Sequence, residues 1–303
     1  MDFLYFLETI RNPILDKIML AVTFLGEEIP FMIAAMFVLW CVDKHKGYYL
    51  LFVGFLGTQI NQFLKVAFKI ERPWVKDPAF KAVEAAIPEA TGYSFPSGHT
   101  QSSVGVFGSL FASFKNIALR VLCVVLCLLV PFSRMYLGVH TPLDVGVSFI
   151  IAIFLIVLFA FIFKKINKSR KGMRILIASM VLISIIQAVY MTVTLHSATQ
   201  PELISAIKNA YKMLGAVLGM VVVYELDVRY IKFNTKAVWW AQIIKLVVGL
   251  ALTVAVKELC YFVFGFIPFE PLSRLFSYFV MVIFAGSVWP LSFKLFGQLK
   301  NNK

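Results

Sequence analysis

An all-α fold, a polytopic bundle of transmembrane helices, is predicted from three features of this sequence. Of its 303 residues 60% are hydrophobic and only 15% charged, with a mean hydropathy of +0.84, so there is too little polar surface to cover a water-soluble globule. The apolar residues gather into about nine runs, each near the roughly 20 residues a helix needs to cross a bilayer. The links between those runs alternate between a set rich in Lys and Arg and a poorer set, as the two sides of a membrane protein do.

Residues 3–25 are apolar but interrupted by Glu8, Arg11-Asn12-Pro13 and Asp16-Lys17, which suits an interfacial helix or a short extra span. The start, Met1-Asp2-Phe3, has neither a basic n-region nor a small-residue cleavage site, so these segments are expected to stay in the mature protein. Runs at 28–42, 47–66, 99–114, 117–132 and 142–163 follow, then a basic stretch from Lys164 to Arg174, then runs at 175–195, 204–224, 239–260 and 275–296. Residues 1–163 hold every chemical motif and read as a core of about six helices, whereas residues 164–303 add transmembrane helices without one. With no repeat, low-complexity tract or long linker, one helical bundle is the simplest architecture. Gly215 and Gly219 suit a close helix approach, and Trp239-Trp240 an interfacial belt. Cys41, Cys123, Cys127 and Cys260 sit inside apolar runs without metal-type spacing and are expected to pack.

The net charge of +13 follows from topology rather than from a polyanion partner. Lys44, Lys46, Lys115, Lys164, Lys165, Arg170, Lys171, Arg174, Arg229 and Lys232 all fall in links on one side, which the positive-inside rule makes cytoplasmic. Membrane lipids are therefore the expected surroundings, and no nucleic acid is expected as a partner.

Three polar clusters interrupt the apolar pattern at the opposite side. Lys65 and Arg72 are seven residues apart, two helical turns, and would share one face about 10 Å apart if the helix ran on to Pro73. Taken alone, the pair equally suits two cations snorkelling to lipid headgroups. Pro96-Ser97-Gly98-His99 precedes a run of small residues, and a helix starting there would offer free N–H groups and a positive dipole end to an anion. Ser97 also suits an ordinary N-cap, while His99 adds a proton donor. In the third cluster Thr141-Pro142-Leu143-Asp144 reads as a capped helix start, with His140 just outside it and within reach of the Asp144 carboxylate. A carboxylate accepting one ring N–H leaves the other nitrogen free to attack, and Arg134 supplies a fork for phosphate oxygens.

The order and spacing Lys65-x6-Arg72-Pro73, Pro96-Ser97-Gly98-His99 and Ser133-Arg134-x5-His140-x3-Asp144 resemble the signature of the type 2 phosphatidic acid phosphatase superfamily, matched at every position. Phe24-Leu25-Gly26-Glu27-Glu28 and the style of 47–150 are similar to sphingosine-phosphate phosphatases and to small bacterial relatives of the undecaprenyl-diphosphate phosphatase kind. The resemblance implies that His140 attacks phosphorus to form a phosphohistidine, Asp144 orients His140, and His99 protonates the leaving group and then activates water. Lys65, Arg72, Ser97, Gly98 and Arg134 would cradle the phosphate oxygens. The scheme needs no metal or other cofactor, and no carboxylates with metal-ligand spacing stand near these positions. The expected function is hydrolysis of a lipid phosphate or diphosphate in a pocket that opens away from the cytoplasm. The rival readings are a sugar-phosphate phosphatase similar to the nine-span glucose-6-phosphatases, a haloperoxidase, and a transporter that binds phosphate without cleaving it. Intact His99, His140 and Asp144 argue against the last.

Other polar residues carry weaker expectations. Glu27 and Glu28 suit a helix start, His45 a cytoplasmic link, His196 an interfacial position, and Glu225, Asp227 and Arg229 surface ion pairs.

Overall fold

In the computed structural model, residues 1–166, 169–195 and 200–297 are described, and all their regular elements are helices. The chain begins with α1 (Asp2–Thr9), α2 (Pro13–Phe24) and α3 (Glu28–Phe37), the last prolonged by a π-helical turn at Val38–Val42. It continues through α4 (Lys44–Phe68), the short α5 (Pro73–Lys76), a 3-10 turn at Glu84–Ala86, α6 (Gly98–Ser113), α7 (Ile117–Tyr136) and α8 (Pro142–Ile166). Then come α9 (Arg170–Leu195), α10 (Pro201–Leu226) with a π turn at Asp227–Ile231, α11 (Trp239–Phe264), and α12 (Glu270–Ile283) with a π turn at Phe284–Val288. The short α13 (Trp289–Leu291) and α14 (Phe293–Gly297) follow.

Each of the nine expected runs falls on helix. By length and apolarity six stretches qualify to cross a bilayer, and 13–24 with 28–42, bent by 47°, adds a seventh as one broken span. The runs outside that count are those on α6 and α10. With 16 residues α6 is about 24 Å long, against a hydrocarbon core of about 30 Å. Outward stripes carry the membrane character: on α8, Ile150, Phe154, Val157 and Phe161 lie at helical spacing and are all exposed. The protein is a multi-pass membrane protein.

The described residues form two compact units, one built from Met1–Ala34, Tyr49–Lys165 and Gln200–Leu203 and the other from the remainder. In the first unit the helix starts are set by local chemistry. Asn12 caps α2 by accepting from the N–H groups of Ile14 and Leu15, and Asn116 caps α7 through Leu119 N–H. The amino-terminal segment is interfacial in character: Leu4 and Leu7 of α1 bury against Phe80, Trp74, Phe132 and Met135, while Phe3 and Phe6 stay exposed. Leu15, Met19 and Leu20 of α2 pack on Ala86, Ala90, Tyr136, Leu137 and Val139, so α2 lies against the end of α7. Deeper in the unit, Val104 of α6, Cys127 of α7 and Ala152 of α8 form one buried cluster with Phe107 and Phe149.

In the second unit two π turns and the link before α11 are tied together by buried side-chain donors. Trp40, fully buried in the first π turn, donates Nε1–H to the Ala285 carbonyl in another π turn at 3.0 Å. Lys245, also fully buried, donates to the Trp40 carbonyl at 2.9 Å and to the Thr235 carbonyl at 3.1 Å, with its ammonium 4.2 Å from the centre of the Phe293 ring. Trp289 returns a bond from its indole to the Lys245 carbonyl at 3.0 Å. Where lipid offers no hydrogen bonds, such internal donors satisfy carbonyls that the widened helix leaves open. Trp40→Phe leaves the Ala285 acceptor unpaired and opens a void, so we expect a loss of about 2 to 4 kcal/mol, read as a lower midpoint of thermal unfolding in detergent.

The pair Gly215 and Gly219 does mark a close approach. A Cβ at 215 would stand 2.1 Å from the Leu275 carbonyl oxygen, and one at 219 would stand 2.9 Å from that of Phe279. Asp227 departs from expectation: it is buried rather than on the surface, held at 2.7 and 2.8 Å by Lys44 Nζ, and it accepts from Phe233 N–H. Glu225 does form the expected exposed pairs, with Arg174 and Arg229. Glu28 opens α3 as a helix-start acid, His45 lies in the first turn of α4 in the second unit, and His196 falls outside the described residues.

Candidate active site

All eight residues of the three clusters lie in the first unit, at the ends of α4, α6, α7 and α8 that meet because successive helices run in opposite directions. α4 stops at Phe68, four residues before Arg72, and Lys69 takes a left-handed backbone with φ +48°. The expected continuous helix from Lys65 to Pro73 is therefore corrected: a turn, not a shared helix face, brings Arg72 back towards Lys65. Arg72 instead stands extended as the N-cap of α5, because the following Pro73 disfavours helix at that position. Neither cation snorkels, since both are buried.

Arg72 is almost wholly engaged. Its Nε donates to the Gly92 carbonyl at 3.0 Å, Nη2 to that of Thr91 at 2.7 Å, and Nη1 both to that of Val139 at 2.9 Å and to His140 Nε2 at 3.0 Å. Guanidinium only donates, so His140 Nε2 must be the accepting, unprotonated nitrogen. Burial first, then the charges of Arg72, Arg134 and Lys65, holds His140 well below the ordinary imidazole range, so the ring is neutral with its proton on Nδ1. Lys65 Nζ donates to the Tyr93 carbonyl.

α8 begins as expected from its capping box. Asp144 N–H donates to Thr141 Oγ1 at 3.3 Å, and Thr141 N–H returns a bond to Asp144 Oδ2 at 2.7 Å. Asp144 Oδ2 lies 3.6 Å from His140 Nδ1, beyond a direct hydrogen bond. Ser97 is the N-cap of α6, accepting from Thr100 N–H and from the Thr100 hydroxyl, and its own N–H donates to the Asp144 carbonyl at 3.1 Å, which ties the second cluster to the third. Gly98 faces open space, where an added Cβ would find only Asn61 Oδ1, at 3.7 Å. His99 is half-buried, and its Nε2 is buried without a partner.

Arg134 is fully buried, yet it makes one side-chain hydrogen bond, from Nη1 to Thr23 Oγ1 at 2.6 Å, while Nε and Nη2 have no partner. Buried donors without acceptors mark where an anion belongs. The break between α2 and α3 reaches the same place. An added Cβ on Gly26 would stand 2.9 Å from the His99 carbonyl oxygen, so only glycine lets that segment lie against the start of α6.

Three contributors went unnoticed in the sequence: Thr23, Asn61 and Ser94. Asn61 donates to the Pro96 carbonyl and keeps a buried, unpaired Oδ1. It stands one helical turn before Lys65 in an apolar run, a spacing that would have flagged it. Ser94 offers no comparable signal.

The PAP2 superfamily matches residues 46–168, and the transmembrane extension of PAP2 superfamily phosphatases matches residues 211–302. Undecaprenyl-diphosphatase BcrC of Bacillus subtilis is 30% identical over 155 residues, covering 49% of this chain and 75% of that protein. A probable sphingosine-1-phosphate phosphatase of Dictyostelium discoideum is 32% identical over 160 residues, 48% of this chain and 38% of the relative. Sphingosine-1-phosphate phosphatase 2 of Homo sapiens is 31% identical over 140 residues, 44% of this chain and 34% of the relative. No solved structure matches the chain significantly. The chain belongs to the PAP2 superfamily.

Proposed function

We propose that this protein is a membrane phosphatase that hydrolyses a lipid phosphate or lipid diphosphate through a phosphohistidine on His140, at a pocket facing away from the cytoplasm. The observation that carries the reading is the state of His140. Its Nε2 is the unprotonated ring nitrogen, held on the buried cations where it accepts from Arg72, while Nδ1 is turned to the Asp144 side. That is the arrangement a nitrogen nucleophile needs.

In the proposed reaction Nε2 attacks phosphorus as the bond from phosphorus to the lipid oxygen breaks. His99 gives a proton to the leaving oxygen, then takes one from the water that cleaves the phosphohistidine and frees orthophosphate. Lys65, Arg72, Arg134, the Ser97 hydroxyl and the Gly98 N–H bind the phosphate oxygens and stabilise the transferring group. The named activities of the relatives support a lipid-linked substrate: an undecaprenyl-diphosphatase and two sphingosine-1-phosphate phosphatases. Exposed apolar stripes on the same helices suit an acyl or prenyl tail that stays in the bilayer. The basic links at Lys44–Lys46 and Lys164–Arg174 support placing the pocket on the other side, since the clusters occupy the opposite ends of α4 and α8.

The test is phosphate release by purified protein in detergent with excess chelator, from a polyprenyl diphosphate, a phosphatidate, a sphingoid-base phosphate and a sugar phosphate. Chelator-resistant release from at least one lipid, above that from the sugar phosphate, is expected. Binding of these lipids without release overturns the reading in favour of a carrier.

A further inference from the structure

Ser94 lies outside the three clusters, yet its side chain sits between the two residues proposed to form and orient the nucleophile. It is fully buried, and its backbone N–H donates to the Ile70 carbonyl at 2.7 Å, which fixes it beside the turn after α4. Its Oγ is 2.6 Å from Asp144 Oδ2 and 3.5 Å from His140 Nδ1, whereas Nδ1 and Oδ2 are 3.6 Å apart. Hydrogen placement follows from chemistry. Asp144 Oδ2 already accepts from Thr141 N–H, and the short contact to Ser94 requires the serine hydroxyl to donate there. That hydroxyl has one hydrogen, so towards His140 it is left only to accept. His140 must present Nδ1–H on that side, because Arg72 occupies Nε2 as a donor.

We propose that Ser94 is a positioning residue that links His140 Nδ1–H to the Asp144 carboxylate, so that the carboxylate orients the nucleophile through the serine hydroxyl. This rests on the reading of His140 as the nucleophile. When the Nε2–phosphorus bond forms and the phosphorus–oxygen bond to the lipid breaks, Nδ1 keeps its hydrogen and the ring becomes positive. Ser94 passes the stabilising influence of the Asp144 charge to that ring without itself gaining or losing a proton. Its hydroxyl also holds the imidazole plane, so that Nε2 stays on the side where Arg72 meets it and the cations would gather the phosphate.

Ser94→Ala is expected to lower kcat by about 10- to 100-fold with KM changed less than about 3-fold, because no phosphate contact is removed. In an Asp144→Asn background the same substitution should cost less than about 3-fold, since the group it acts through is already gone. A merely structural serine would give losses that multiply. Ser94→Cys, which keeps the volume and weakens the bond, should fall between serine and alanine. It carries the same test, alone and with Asp144→Asn, should the alanine variant not yield folded protein. Activity of Ser94→Ala within about 2-fold of the parent, or additive losses with Asp144→Asn, overturns the proposal. Wild-type turnover judges the underlying reading separately. No phosphate from any lipid overturns that reading and this proposal with it, whereas an active parent with an indifferent Ser94 overturns this proposal alone.

Discussion

His140→Ala is expected to reduce phosphate release by at least about 10³-fold while leaving the thermal midpoint within about 2 °C of the parent. The two halves of this result come from different regions of the site. Activity collapses because His140 supplies the unprotonated ring nitrogen that meets Arg72, next to Asp144 and Ser94, whereas His99 sits on a different helix, with its own buried, unpaired Nε2. Stability holds because the fold does not rest on the imidazole. Arg72, its hydrogen-bond donor, keeps the carbonyls of Thr91, Gly92 and Val139, and Asp144 keeps its capping box and Ser94. Rapid acid-free quenching with a radiolabelled lipid phosphate should trap labelled parent protein and no labelled variant. Label retained on His140→Ala would move the nucleophile elsewhere.

Arg134→Met is expected to move activity and stability in opposite directions. Loss of one positioned donor set around the transferring phosphoryl group should lower kcat/KM by about 10²- to 10³-fold. The ligand-free protein should be as stable as the parent or more stable by about 1 to 3 kcal/mol. A fully buried guanidinium with Nε and Nη2 unpaired, and one hydrogen bond to Thr23, costs more to desolvate than it returns. Orthophosphate or vanadate should raise the midpoint of the parent by mass action and that of the variant much less. Arg134→Lys should also fail to restore turnover, because a point charge cannot span two phosphate oxygens as the planar fork does. A large drop in ligand-free stability of Arg134→Met would make the residue structural and defeat this account.

Legibility in the sequence followed the range of the interaction. Helix, membrane setting and the start of α8 could be read because their causes are local: apolar runs of span length, and Thr141 three residues before Asp144. The three clusters were legible for a related reason, since each gathers charged or histidine side chains at the edge of an apolar run, where an unmatched charge is expensive. The end of α4 was misread because the helix stops at Phe68 through a left-handed Lys69, a residue with no turn signature. Asp227 was misplaced because its partner, Lys44, lies 183 positions away.

What this sequence determined by itself was therefore an all-helical membrane protein with a cationic, histidine-bearing face, because hydropathy, capping and motif spacing act over a few helical turns. What only the tertiary structure decided was how the face is wired: Arg72 on His140 across 68 positions, Ser94 on Asp144 across 50, and Thr23 on Arg134 across 111. Ser94 and Thr23 are hydroxyl residues of the commonest kind, and nothing in their neighbours distinguishes them. Only burial, which removes water as the alternative partner, turns each into a specific contact with one histidine, carboxylate or guanidinium.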